Sequence, residues 1–231
     1  RLVTLELTPK PSTQLSDVVA EVRATLEAHP VPSPSIAYKI TGAYEDQQET
    51  FGDLGMLMAL IVILVFIVMA AQFESLVDPF VIMFSVPFAF SGVFLGLLIT
   101  QIPLDTMSFI GMIMLIGIVV KNGIVLIDYI RLCRERGMSI TQSVTTSGRS
   151  RLRPVLMTTL TTVLGMVPMA LGIGEGSEMW QGMGVTVAWG LSLSTLVTLV
   201  LIPTLYASLE ARRIRRERKR LEKKLIARGA R

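Results

Sequence analysis

The chain has 231 residues, of which 51% are hydrophobic and only 17% charged, with a mean hydropathy of +0.59. Soluble domains carry about 25% charged residues, so this composition is that of a membrane protein. One cysteine, Cys133, excludes a disulfide framework, and the net charge of +4 does not mark a nucleic-acid binder, because half of the 22 Lys and Arg lie in one tail, 212–231.

Residues 1–53 read as a small soluble unit. The chain opens on Arg1 in strand-like sequence, without an initiator Met or signal-peptide pattern, and is expected to be a piece of something longer. Val3, Leu5 and Leu7 alternate with Thr4 and Glu6, the period of a half-buried strand. Ser12 or Thr13 can cap a helix whose apolar positions are Leu15, Val18, Val19, Val22 and Leu26; Pro30, Pro32 and Pro34 stop it, and Ile36, Tyr38 and Ile40 alternate again. The expectation is a β-α-β piece of an α+β subdomain. It exposes open sheet edges and buries too little to stand alone, so it must pack on strands outside this sequence.

Five uncharged or nearly uncharged runs follow, at about 54–73, 79–102, 106–130, 154–173 and 179–209. Each reaches the roughly 20 helical residues that cross a bilayer core. The expected fold is therefore a membrane α-helical bundle of five transmembrane helices, spanning 54–211, preceded by the β-α-β piece and followed by a basic tail at 212–231. Orientation follows the basic residues. Arg131, Arg134, Arg136, Arg149, Arg151 and Arg153 stand between the third and fourth runs, and the tail is denser still. The turns at 101–106 and 172–178 carry acids and no base. The third-to-fourth connection and the tail are thus expected to be cytoplasmic, with the N-terminal segment periplasmic. The tail, "RRIRRERKRLEKKL", interleaves acids with bases and reads as a helix leaving the membrane against solvent or headgroups, with no nucleic-acid partner.

Between the third and fourth spans, Ile140, Val144 and Ser147 mark one side of a short cytoplasmic helix at about 140–151. Gly92/Gly96 and Gly184/Ala188 have the small-residue spacing of close helix crossings, and Pro87 is expected to kink the second span. The 13 Met lie almost entirely among Leu, Ile and Val within the spans, where Met is an ordinary gap-filler rather than a metal ligand; His29, alone before Pro30, is expected at the surface.

The charge that breaks the pattern is Lys121 in "IGIVVKNGIVLIDYIR". It lies roughly 18 Å along the helix from Phe109, and a lysine at such depth costs about 2.5–3.5 kcal/mol on insertion scales. Either it snorkels toward the headgroups or it pairs with an anion. Asp128, two turns away, is too far to pair directly, and no other span contains Asp or Glu. A carboxylate partner would have to come from another polypeptide segment. In "GRSRLRPVLMTTLTTVLGMVP", Arg151 and Arg153 precede Pro154 as membrane-surface anchors, and Thr158 lies two turns on from Arg151 on nearly the same face. Arg151 and Thr158 either line one polar path or serve as an anchor and a hydroxyl bonded back to its own helix. No phosphate loop, nucleophile–base pair or metal-spaced cluster is present, so no enzymatic role and no cofactor is expected.

The runs "AAQFESLVDPFVIMFSVPFAFSGVFLGL", "GIVVKNGIVLIDY" and "RLRPVLMTTLTTVLGMVPMALGIGEGSE" resemble the resistance-nodulation-division (RND) superfamily, and most nearly the inner-membrane pump of hydrophobe/amphiphile multidrug efflux systems. The resemblance covers essentially the whole chain and only the C-terminal part of that longer family. It implies a proton-driven antiporter in the inner membrane of a Gram-negative bacterium. The pump would work as a homotrimer with a periplasmic adaptor and an outer-membrane channel, on hydrophobic or amphiphilic substrates. By the same resemblance Lys121 is the ionic partner of proton-carrying aspartates in the first half of the transporter, while Arg151 and Thr158 occupy the positions of the family's functional arginine and threonine. The first seven spans, the aspartates and the drug-binding pockets lie outside the 231 residues. Rival readings are a superfamily member moving lipids or assisting protein export, and a non-transporting membrane scaffold.

Overall fold

The computed structural model describes residues 5, 7, 15–28, 40, 43–174 and 176–229, which form two units, Arg1–Met56 and Leu57–Arg231. In the first unit, α1 (Leu15–Ala28) follows the expected periodicity: Val19 is buried, Val18, Val22 and Leu26 are half-buried, and the positions between them are exposed. The Arg23 guanidinium lies over the Tyr44 ring, 5.9 Å from its centroid, which ties α1 to the first turn of the next helix. No strand occurs among the described residues. Leu5, Leu7 and Ile40 belong to none, and the rest of both expected strands lies outside the described residues. Leu5 and Leu7 are 86% and 64% exposed, so neither is covered by the described residues.

Six further α-helices follow among the described residues: α2 (Ala43–Phe73), α3 (Val77–Met83), α4 (Ser85–Thr100), α5 (Thr106–Glu135), α6 (Ile140–Ala170) and α7 (Gln181–Gly229). With α3 and α4 taken as one interrupted span, five helical segments among the described residues are long and apolar enough to cross a membrane. The interruption at Phe84 lies three residues before Pro87, whose ring and missing N–H disturb the preceding turn; the Ser85 hydroxyl donates to the Ile82 carbonyl at 2.6 Å there.

The connection between α5 and α6 is four residues long, 136–139, and local chemistry accounts for it. Gly137, at φ +84°, turns the chain at the end of α5, with Met138 N–H bonded to the Cys133 carbonyl and Gly137 N–H to that of Arg134. Ser139 then caps α6, its hydroxyl accepting from Gln142 N–H while the Gln142 side chain accepts from Ser139 N–H. The short helix expected at 140–151 is the first third of one unbroken helix that runs through Pro154 and Pro168 to Ala170. Each proline removes one rung of the ladder, and the turns on either side hold the helix together.

In the second unit α7 is the axis, packed on α4, α5 and α6. Its approach to α4 is close because Gly92 and Gly96 leave room for Leu193 and Trp189 of α7. A Cβ on Gly96 would lie 2.5 Å from Trp189 Cγ, and one on Gly92 would lie 2.9 Å from Leu193 Cβ. Gly184 abuts the α6 backbone at Ala170 in the same way, and Gly190 abuts Leu115 and Val93. Two apolar clusters fill the unit. Met69, Phe73, Ile82, Ile127, Ile130 and Ile202 form one; Ala89, Val93, Leu97, Leu115, Val119 and Leu191 form the other.

Candidate functional site

The inner face of α5 is apolar and fully packed, with Leu115, Ile116, Val119, Val120, Leu126, Ile127 and Ile130 all at 3% exposure or less. The opposite face carries Met114, Gly117, Lys121 and Asp128, at helical spacing, and all four are exposed. Lys121 therefore points away from the other helices of this unit, and it makes no ion pair or hydrogen bond with the described residues. Asp128 shares its face at seven residues' separation, about 10.5 Å of rise, beyond the reach of an ion pair.

Arg151 lies on α6, half-buried, with its guanidinium carbon 4.6 Å from the centroid of the Tyr129 ring on α5. This is a cation–π contact close enough to hold the side chain flat against α5. Its Nε is shut off from solvent and has no hydrogen-bond partner among the described residues. Thr158 is exposed, and its hydroxyl donates back to the carbonyl of Val155 at 2.9 Å, with Pro154 at 3.2 Å. That is the self-bonded arrangement weighed above. It consumes the hydroxyl proton and leaves the oxygen free to accept. Because α5 and α6 run in opposite directions and Arg151 meets Tyr129, Thr158 stands about 10.5 Å further along, level with Asn122. Lys121, Arg151 and Thr158 thus belong to the adjacent helices α5 and α6 and are spread over two helical turns, with no hydrogen bond among the three side chains.

Several polar contacts lay beyond sequence reasoning. Arg131, counted there only as a positive charge, donates from Nη1 to the Phe73 carbonyl at 2.7 Å, sits 3.8 Å from Asp78 Oδ2 and lies over the Phe73 ring at 5.6 Å. One side chain so joins the end of α5 to the end of α2 and the start of α3. Arg131, Arg134, Asp78, Glu210 and Tyr206 line a cavity of about 680 Å³ beside this junction. Within the bundle, the Thr159 and Thr195 hydroxyls bond at 3.1 Å, a buried polar link between α6 and α7. No local signal marks these pairs, since their members stand 36 to 58 residues apart. Ser143 and Ser147, on α6 below Arg151, are fully buried.

Residues 1–210 match the sequence profile of the AcrB/AcrD/AcrF family. The chain belongs to that family. It is accordingly part of an RND-superfamily efflux transporter, and its apolar helices are those of a membrane protein. It is 37% identical over 198 residues to the swarming motility protein SwrC of Bacillus subtilis (strain 168), covering 83% of this chain and 18% of SwrC. It is 37% identical over 165 residues to the cobalt-zinc-cadmium resistance protein CzcA of Cupriavidus metallidurans, covering 71% of the chain and 16% of CzcA. The multidrug resistance protein MdtC of Proteus mirabilis is 32% identical over 211 residues, covering 91% of the chain and 20% of MdtC. A crystal structure of a heavy metal efflux pump superposes with a TM-score of 0.74 at 30% identity, covering 87% of the chain and 20% of the pump. The chain thus spans about a fifth of the length of the relatives it matches.

Proposed function

We propose that the chain is the C-terminal portion of a proton-driven drug antiporter and that it supplies the intramembrane lysine of the proton-relay site. The observation that carries this reading is the placement of Lys121. It stands deep in an apolar helix, on the face turned away from its own bundle, with no Asp or Glu on the other four apolar runs. Carboxylates from the rest of the same transporter would meet it across that face. When such a carboxylate takes up a proton it loses its attraction for the ammonium, and a buried ion pair broken on one side is destabilised by roughly 3–5 kcal/mol. A difference of that size is enough to bias a two-state helix bundle. Arg151 and Thr158, on the neighbouring helix, are the residues past which protons enter or leave.

The same reading gives a multi-pass protein of the inner membrane with the 1–53 segment periplasmic, as a β-α-β piece completed by strands from elsewhere in the transporter, and the 212–231 tail cytoplasmic. The transporter would assemble as a homotrimer with a periplasmic adaptor and an outer-membrane channel. Relatives named for metals match this chain as closely as those named for drugs, so hydrophobic or amphiphilic substrates rest on the motif resemblance. An export assay with amphiphilic dyes and divalent cations in parallel distinguishes the two classes.

The decisive experiment is Lys121→Met in the complete transporter. Efflux is expected to be abolished while membrane insertion and expression stay normal. Normal efflux at normal expression would show instead that Lys121 only snorkels to the headgroups. Lys121→Arg is expected to be impaired as well, since a planar guanidinium does not replace a compact ammonium.

A further inference from the structure

On α6, Ser143, Ser147 and Arg151 recur at every fourth residue. Both serines are 0% exposed, and Ser143 Oγ, Ser147 Oγ and Arg151 Nε all lack a hydrogen-bond partner among the described residues. This is unusual for the helix they occupy. Thr145, Thr158, Thr161 and Thr162 each bond back to a carbonyl three or four residues earlier, the ordinary way for a helical hydroxyl to be satisfied. The two serines do not. Buried polar groups are almost always bonded to protein or to water, and here three stand in one row on the side of α6 packed against α5 and α7.

The spacing suits water. Four residues of helix rise about 6 Å, and one water about 2.8 Å from each of two hydroxyls spans roughly 5.6 Å. A serine hydroxyl both donates and accepts, whereas Arg Nε only donates, so each link can be made with correct polarity. We infer that Ser143, Ser147 and Arg151 hold a file of internal water between the start of α6 and the guanidinium stacked on Tyr129.

The inference rests on the proposed function and deepens it: the file is the cytoplasmic segment of the proton route. A proton crosses it by exchange, each water or hydroxyl accepting one proton on a lone pair and passing its own onward, with no net change in either serine. Arg151 Nε only donates, so the file ends there. The competing account is that Ser143 and Ser147 are merely small residues that let helices approach.

Alanine separates the two accounts, since it is no larger than serine and lacks the hydroxyl. In the complete transporter reconstituted in liposomes with a pH-sensitive dye, Ser143→Ala/Ser147→Ala is expected to keep normal yield and melting temperature. Proton flux should fall by about tenfold, the rate effect of roughly one lost hydrogen bond. High-resolution density of the unaltered protein should contain ordered water between the two serines, and the double variant should lose it. Unchanged flux in the double variant, or no water density between the serines, overturns the inference. Lys121→Met measured alongside identifies which reading has failed. If it abolishes flux and the double alanine does not, the file alone is wrong; if it too leaves flux normal, the reading on which the file rests is wrong as well.

Discussion

The helices of the second unit divide into a packed trio and an open pair. In the most apolar stretches of α5 and of the segment holding α7, half the residues are buried, and in that of α3–α4 44% are. In α2 and α6 the shares are 6% and 11%. All five segments are apolar enough to cross a membrane, so hydrophobicity does not separate the groups. Glycine contributes. Gly92, Gly96, Gly111, Gly123 and Gly190 sit where α3–α4, α5 and α7 approach closely, and Gly184 where α7 meets the end of α6, while Gly148 and Gly165 along α6 have nothing within 4 Å. The trio is held by shape. The open pair is held along single stripes (Met58, Ile61, Val65, Met69 and Phe73 on α2) and by a few long-range polar links. The lesson is that the residues proposed to act, Lys121 on the outer face of α5 and Arg151 and Thr158 on α6, lie at the edge of the rigid part, where other polypeptide or lipid must complete the surroundings.

The contrast can be broken most severely inside the trio. Gly96→Leu drives a side chain into Trp189 and should cost about 3 kcal/mol or more. The expected result is a large fall in melting temperature and in monodisperse yield in detergent; wild-type stability would mean that α4 and α7 are not in close contact. Next comes the clamp on α2. Arg131→Ala removes a charge-assisted bond to the Phe73 carbonyl, a pair with Asp78 and a ring contact, from a side chain that is 37% exposed. The expected loss is about 1–2 kcal/mol, with faster amide exchange confined to the α2–α3 turn. A uniform change across all helices would refute a local clamp.

A smaller effect is expected where α6 meets α7. Thr159→Val leaves the Thr195 hydroxyl without its partner and should destabilise by about 1 kcal/mol, whereas Thr159→Val/Thr195→Val should recover most of that loss. Additive losses in the double variant would show that the hydroxyls do not interact. Last, Gly165→Ala on the open side of α6 should be neutral or stabilising by up to about 1 kcal/mol, from helix propensity alone. Destabilisation there would mean that something packs on that face in the complete protein, and would sharpen the contrast by naming where.

Much of this was legible before any coordinates. Five apolar runs and the α1 periodicity act over one or two turns, where helical period suffices. The solitary charge of Lys121 was equally plain, because burying an ammonium in an apolar run is costly whatever surrounds it. The extent of α6 was less plain, because a proline within a helix deletes one bond without dictating whether the helix stops.

The sequence by itself determined which segments are helical and apolar, which charges are out of place and which small residues permit close approach. Tertiary structure alone decided which glycines are pressed against a neighbour, that Lys121 faces away from the bundle, that Arg131 reaches Phe73 and Asp78, and that Ser143 Oγ, Ser147 Oγ and Arg151 Nε line up without a hydrogen bond among the described residues. The physical reason is range. Helix formation and capping are settled between residues a few positions apart, whereas a face is buried or open only through elements that lie far away in the chain and are brought together by packing.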